Sequence, residues 1–300
     1  MSAATGPAAL TAPRRRAWQG RWRLALRHVV LALGGLVVLT PLLWMVSTSL
    51  KSDAQVAAFP PVLLPRPLVW ENYLRAWTVL PTGRFYLNSL VVSCLSIVGT
   101  VLSCSLAAYA FSRLRFRGRE ALFACALATL MLPAQVTLIP TYVLFSRLGW
   151  LNTLLPLVVP TFFATSGFAI FLLRQFFMTV PRDVDEAALL DGAGFLTIYA
   201  RIVMPLARPA LGVVVVLTFA GTWNAFTHPL IYLNDLEQFT VAIALRSFIS
   251  VRFIDEQSVM AMSFLATLPM LLTFLVAQRA FLRGIHLGAT SGSRLVVAGQ

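Results

Sequence analysis

The stretch PRDVDEAALLDGAGFLTIYARIVMPLARP, Pro181–Pro209, is a polar interval between two long apolar segments. Its order is that of two short helices. Pro181 opens it, and Asp183 stands three residues before Glu186, the spacing of a capping box with Asp183 as N-cap. Ala187, Ala188, Leu189 and Leu190 propagate the helix. Asp191-Gly192 stops it, because glycine enters the left-handed C′ conformation freely. Phe195, Ile198, Ile202 and Val203 carry a second helical pattern that Pro205 is expected to break. A first helix of about ten residues, roughly 15 Å long, is marginal alone in water. It must pack on something. Spacing alone leaves two partners open, the chain's own bundle or a separate cytoplasmic subunit.

The flanking segments set the class. The chain has 300 residues, 58% of them hydrophobic and only 12% charged, where a soluble domain carries about 25% charged residues. Apolar runs of membrane-crossing length make it an all-α polytopic membrane protein. Six transmembrane helices are expected, over about 28–50, 85–112, 121–145, 155–177, 210–233 and 258–281. The first is read as an uncleaved anchor, since it is too long for a signal-peptide core and has no small-residue cleavage site. Residues 1–27 form a cytoplasmic arm, 51–84 a proline-rich external loop, 85–282 the core and 283–300 a cytoplasmic tail. Pro133 and Pro140 are expected as kinks inside the third span, and 234–257 as an external loop.

The net charge of +13 follows the membrane and points to no nucleic acid. Arg14, Arg15, Arg16, Arg21, Arg23 and Arg27 precede the first span, and Arg113, Arg115, Arg117 and Arg119 follow the second. Arg174, Arg182, Arg201 and Arg208 flank the polar interval, and Arg279, Arg283 and Arg294 close the chain. These hold most of the 24 Lys and Arg residues, so both termini and the interval belong inside.

Catalytic groups are not apparent. The single lysine, Lys51, follows no glycine-rich loop, so ATP hydrolysis needs another polypeptide. His28, His228 and His286 lack metal-ligand spacing, and neither metal nor cofactor is expected. Cys94, Cys104 and Cys125 are expected as small buried packing residues. Carboxylates are scarce in mid-span, which counts against an ion-coupled carrier. Gly221, Asn224 and His228 share one face of a continuous fifth helix by i, i+3, i+7 spacing. They are candidates for a solute pathway or for interhelical hydrogen bonds. Asn88 and Ser89 are expected to pack rather than bind, and Arg174 to reach the headgroups.

Glu186-Ala187-Ala188 followed by Asp191-Gly192-Ala193, framed by Pro181, Pro205 and Pro209, resembles the EAA loop of binding-protein-dependent ABC importer permeases. The resemblance extends over about 85–282. It implies that the first helix docks in a cleft of an ATPase subunit, through Asp183, Glu186, Ala187, Ala188, Asp191, Gly192 and Ala193. Glu186 would supply a polar contact, the two alanines close approach, and Gly192 the turn. Trp223–Leu230 and Arg283–Gly292 are similar to the sugar-type, MalG-like branch, with Ser291 where that branch has lysine. The implied partners are a dimer of ATP-binding subunits, a second homologous permease, an external solute-binding protein and membrane lipid. The implied place is the bacterial inner membrane. A permease for a polyamine, phosphonate or peptide, or a secondary transporter, is the alternative.

Overall fold

The computed structural model describes residues 13–250 and 256–293, with side chains over 24–248 and 256–278. The arm before residue 13 and the end of the tail lie outside the described residues.

Every principal element is a helix. α1 (Pro13–Ser49) leads by way of a short helix, α2 (Glu71–Thr78), into α3 (Thr82–Arg113). α4 (Arg119–Ala128) and α5 (Ala134–Arg147) follow, then a segment from Leu155 that ends in α6 (Gly167–Thr179). α7 (Arg182–Leu190) is the first helix of the polar interval. α8 (Phe195–Leu206) is the second, and α9 (Arg208–Trp223) the next span. α10 (Thr227–Tyr232), α11 (Val241–Ser250) and α12 (Glu256–Ser293) complete the chain. Among the described residues, four stretches are long and apolar enough to cross a membrane, and the number is six if the bent pairs α4/α5 and α8/α9 each make one span.

α3 is the central post, packing on α6 and α9. Cys104, Ala108 and Tyr109 at its C-terminal half join Leu173, Phe177, Tyr199 and Val203 in one core. Phe85 at its N-terminal end joins Trp223, Val241, Phe248 and Met262 in another. Small residues let the backbones close up, as expected where lipid supplies no hydrophobic drive between helices. At Gly99 an added Cβ would stand 2.7 Å from the Phe162 ring. α1 packs on α12 but leaves Leu31, Val37 and Val38 over 70% exposed.

Several expectations are corrected. The third span is broken, not kinked: α4 and α5 meet at 100°. Leu132 is forced extended before Pro133, which then caps α5. The break in the polar interval falls at Ala207, where α8 and α9 differ by 79°, and Pro205 stays inside the helix. The ring of Pro209 would meet the carbonyl four residues back, that of Pro205, so it is the later proline that interrupts. A π-helical turn over Tyr199–Val203 precedes Pro205. The loop 234–257 contains α11, whose Val241, Ala244 and Phe248 form a buried face at helical spacing. Cys104 is buried, whereas Cys94 and Cys125 are exposed. Cys104 stands ten positions after Cys94, which is about 80° around a helix, so they face different ways. Arg174 does not reach for headgroups. It pairs with Glu120 at 3.1 Å and lies 4.1 Å over the Phe123 ring.

Asn88 and Ser89 pack, as expected. The Asn88 amide donates to the carbonyls of Glu237 (2.7 Å) and Phe239 (3.0 Å), and Ser89 Oγ accepts from Val241 N–H (2.8 Å). They fasten the 234–241 connection to the head of α3.

Candidate functional site

Two places in the bundle hold the sequence-derived candidates, one at each end of α9.

The first is the polar interval. α7 has nine residues, with Pro181 as N-cap and no side-chain cap. Asp183 is therefore not the N-cap. It lies inside the first turn with Asp185, where both carboxylates meet the positive end of the helix dipole. Proline at N-cap displaces the start of the helix toward Arg182, because it brings its own fixed φ of −57°. The C-terminal reading holds. Gly192 has φ +81°, its N–H reaches Leu189 O at 3.0 Å, and the Ala193 N–H reaches Ala188 O at 2.9 Å. That pair of bonds is the Schellman closure.

α7 has two faces. Asp185 and Ala188, three apart, turn inward, and Ala188 and Ala193 pack on the core beside α3. Asp183, Val184, Glu186, Ala187, Leu190, Asp191 and Gly192 are exposed, Leu190 to 90%. The two alanines are thus divided, with Ala187 free to meet a partner and Ala188 committed to the bundle. On α8, Phe195 and Leu196 add more exposed apolar surface.

Buried contacts seat this interval on α3. Arg113 Nη1 and Asp185 Oδ2 form an ion pair of 3.0 Å, with the arginine side chain 4% exposed. Arg113 Nη2 also donates to the carbonyls of Phe177 (2.7 Å) and Val180 (2.8 Å), the end of α6. Tyr109 donates to Phe195 O (3.0 Å), and the Ser105 and Tyr199 hydroxyls are 2.7 Å apart. The sequence reading missed Asp185 and Arg113. A signal was present: Asp185 shares a helix face with Ala188, and a carboxylate on an inward face requires a partner.

The second place is a cavity of about 490 Å³. Gly221 and His228 line it with Thr137, Thr141, Tyr232 and Thr240. Among the described residues, no Asp, Glu, Lys or Arg lines it. Tyr232 and Thr141 share a hydrogen bond (3.0 Å), and Thr240 Oγ1 is buried with no hydrogen-bond partner among the described residues. Asn224 is not in this group. α9 ends at Trp223, so no single helix carries Gly221, Asn224 and His228. Pro229 has no N–H to bond the Ala225 carbonyl, and its ring would meet that carbonyl, so α10 starts anew at Thr227 instead of continuing α9. The Asn224 amide turns back to Ala220 O (2.9 Å), and its side chain borders a different groove with Leu245 and Met270.

A helical membrane bundle whose one end presents a short, closed helix seated on the central post, and whose other end holds a hydroxyl-lined cavity, is built as a transport subunit. The chain belongs to the binding-protein-dependent transport system inner membrane components, whose family model matches residues 99–286. It is similar to the diacetylchitobiose uptake system permease protein NgcG of Streptomyces coelicolor, 31% identical over 88% of each chain. It is similar to the sn-glycerol-3-phosphate transport system permease protein UgpE of Yersinia pestis, 35% identical over 86% of this chain and 94% of that one. A solved bacterial ABC transporter involved in import of the acidic polysaccharide alginate has the same fold, with TM-score 0.77 at 24% identity over 91% of this chain. The chain is therefore a multi-pass inner-membrane permease subunit without catalysis of its own, and ATP hydrolysis belongs to a separate subunit.

Proposed function

We propose that this chain forms half of the translocation path of an ATP-driven importer for a sugar or oligosaccharide. α7 docks on one member of an ATP-binding subunit dimer, a second homologous permease completes the path, and an external solute-binding protein delivers the cargo. The residues at the dock are Asp183, Glu186, Ala187, Asp191 and Gly192, with Leu190 as apolar anchor. Ala188 and Ala193 hold the helix from behind. Both termini are cytoplasmic, on the side of the arginine-rich segments.

The observation that carries this reading is the exposure of Leu190 and Val184 on a nine-residue helix fixed to the bundle from its other face. Isolated, so short a helix would be marginal; fixed in this way it is a rigid, partly apolar protrusion, which is the signature of a docking surface. The solute reading is supported by the hydroxyls and rings that line the cavity around Gly221 and His228, with no Lys or Arg among the described residues there. A phosphorylated or carboxylated solute would call for a cation there. Three relatives or neighbours differ on this point, since their names speak of diacetylchitobiose, sn-glycerol-3-phosphate and alginate.

Leu190→Cys in inside-out membranes tests the docking. Expected is a crosslink to the ATP-binding subunit that added ATP alters. Labelling of that cysteine by an impermeant reagent from the external side would overturn the reading. For the solute, labelled-oligosaccharide uptake should be competed by neutral sugars. Competition by sugar phosphates alone would favour an anionic cargo instead.

A further inference from the structure

Between α6 and α7 the chain has only Val180 and Pro181. Such a link is a hinge unless something braces it. One guanidinium does so. Arg113, the last residue of α3, reaches the end of α6 through the carbonyls of Phe177 and Val180 and reaches α7 through Asp185. Three elements therefore meet on one side chain, itself 4% exposed. The arginine sits at the negative end of α3, and Asp185 at the positive end of α7, so each charge also suits its own helix dipole. Among the described residues, Arg113 Nε and Asp185 Oδ1 are buried without hydrogen-bond partners. The pair is thus not the most stable filling for this position, and a buried ion pair is weak evidence for stability in general. Its geometry serves direction instead. Nη1 faces the docking helix and Nη2 faces the bundle, so displacement of α7 is passed to the post on which α6 and α9 pack.

We propose that the Arg113–Asp185 pair is the positioning element that transmits movement of α7 to α3 and α6, and that it is not itself part of the dock. This rests on the docking role of α7 given above. Without the pair, α7 still engages its partner through the opposite face, but swings about Val180-Pro181 and moves the spans less. ATP is then hydrolysed with little solute carried.

The test uses the full transporter, with both permeases, the ATP-binding subunits and the solute-binding protein in proteoliposomes. Uptake and ATP hydrolysis are measured together, and the quantity read is solute carried per ATP. Coupling between linked sites corresponds to roughly 5- to 150-fold effects, and Asp185→Asn is expected to lower the ratio by about tenfold while the complex stays assembled. Arg113→Lys should do the same, because one ammonium cannot span Asp185 and both carbonyls. Asp185→Glu, which keeps the charge, should restore most of the ratio. An unchanged ratio in Asp185→Asn overturns the proposal. So does failure of Asp185→Asn to assemble, which would make the pair a folding contact. A wild-type arm with the Leu190→Cys crosslink separates the two readings: no crosslink means that α7 is not the dock, whereas a crosslink with an unchanged ratio means that the pair is not the transmitter.

Discussion

Replacement of Gly192 gives the sharpest test of the short helix. Gly192 sits at φ +81°, and nothing lies within 4 Å of an added Cβ. Gly192→Ala therefore costs only backbone strain, about 1–2 kcal/mol for a left-handed non-glycine residue. That is a factor of roughly 5–30 in the population of the closed helix end. Gly192→Pro is worse in three ways. Its ring forbids positive φ, the bond from Gly192 N–H to Leu189 O is lost, and with it the register that brings Ala193 N–H to Ala188 O. The lost hydrogen bond costs about 1 kcal/mol, and the forbidden φ adds more than the roughly 1–2 kcal/mol of strain that alanine meets. For a nine-residue helix this is enough to open the C-terminal turn and misplace Leu190. The spans lie elsewhere, so insertion is untouched. The assay is membrane yield followed by co-purification with the ATP-binding subunit from detergent. Expected is normal yield in both variants, weakened co-purification for alanine and none for proline. Normal co-purification and transport in Gly192→Pro would refute the argument that the Schellman closure sets the dock.

Other expectations follow from the same contacts. Asn88→Ala leaves the carbonyls of Glu237 and Phe239 unpaired, at about 1–3 kcal/mol, and should lower the melting temperature in detergent and expose the 234–241 connection to protease. Gly99→Ala presses on Phe162 and should cost about 1–3 kcal/mol of stability, whereas Gly34→Ala, with open space around it, should leave melting unchanged. His228→Ala should raise the KM of uptake several-fold by removing a wall of the cavity, while Asn224→Ala, which borders another groove, should not.

The positions of the helices could largely be read from apolar run length, because backbone polar groups in lipid must be satisfied within each segment. The Gly192 turn was also legible, since it needs a residue without a Cβ at one position. The α11 face lies in a stretch read as an external loop, although Val241, Ala244 and Phe248 repeat at helical spacing. Asp183 was misread as a cap because the capping-box spacing ignores what a proline two residues earlier does to the start of a helix.

The amino-acid order by itself determined the all-helical membrane class, the arginine asymmetry and the short closed helix, since each depends on neighbours within a few turns of chain. Only the tertiary structure joined Arg113 to Asp185 across 72 positions of sequence, gathered Gly221 and His228 at one cavity and turned Asn224 away from it. The reason is geometric. A proline break changes the direction of everything after it, and the angle at which the chain resumes is set by packing on α3, which no local pattern encodes.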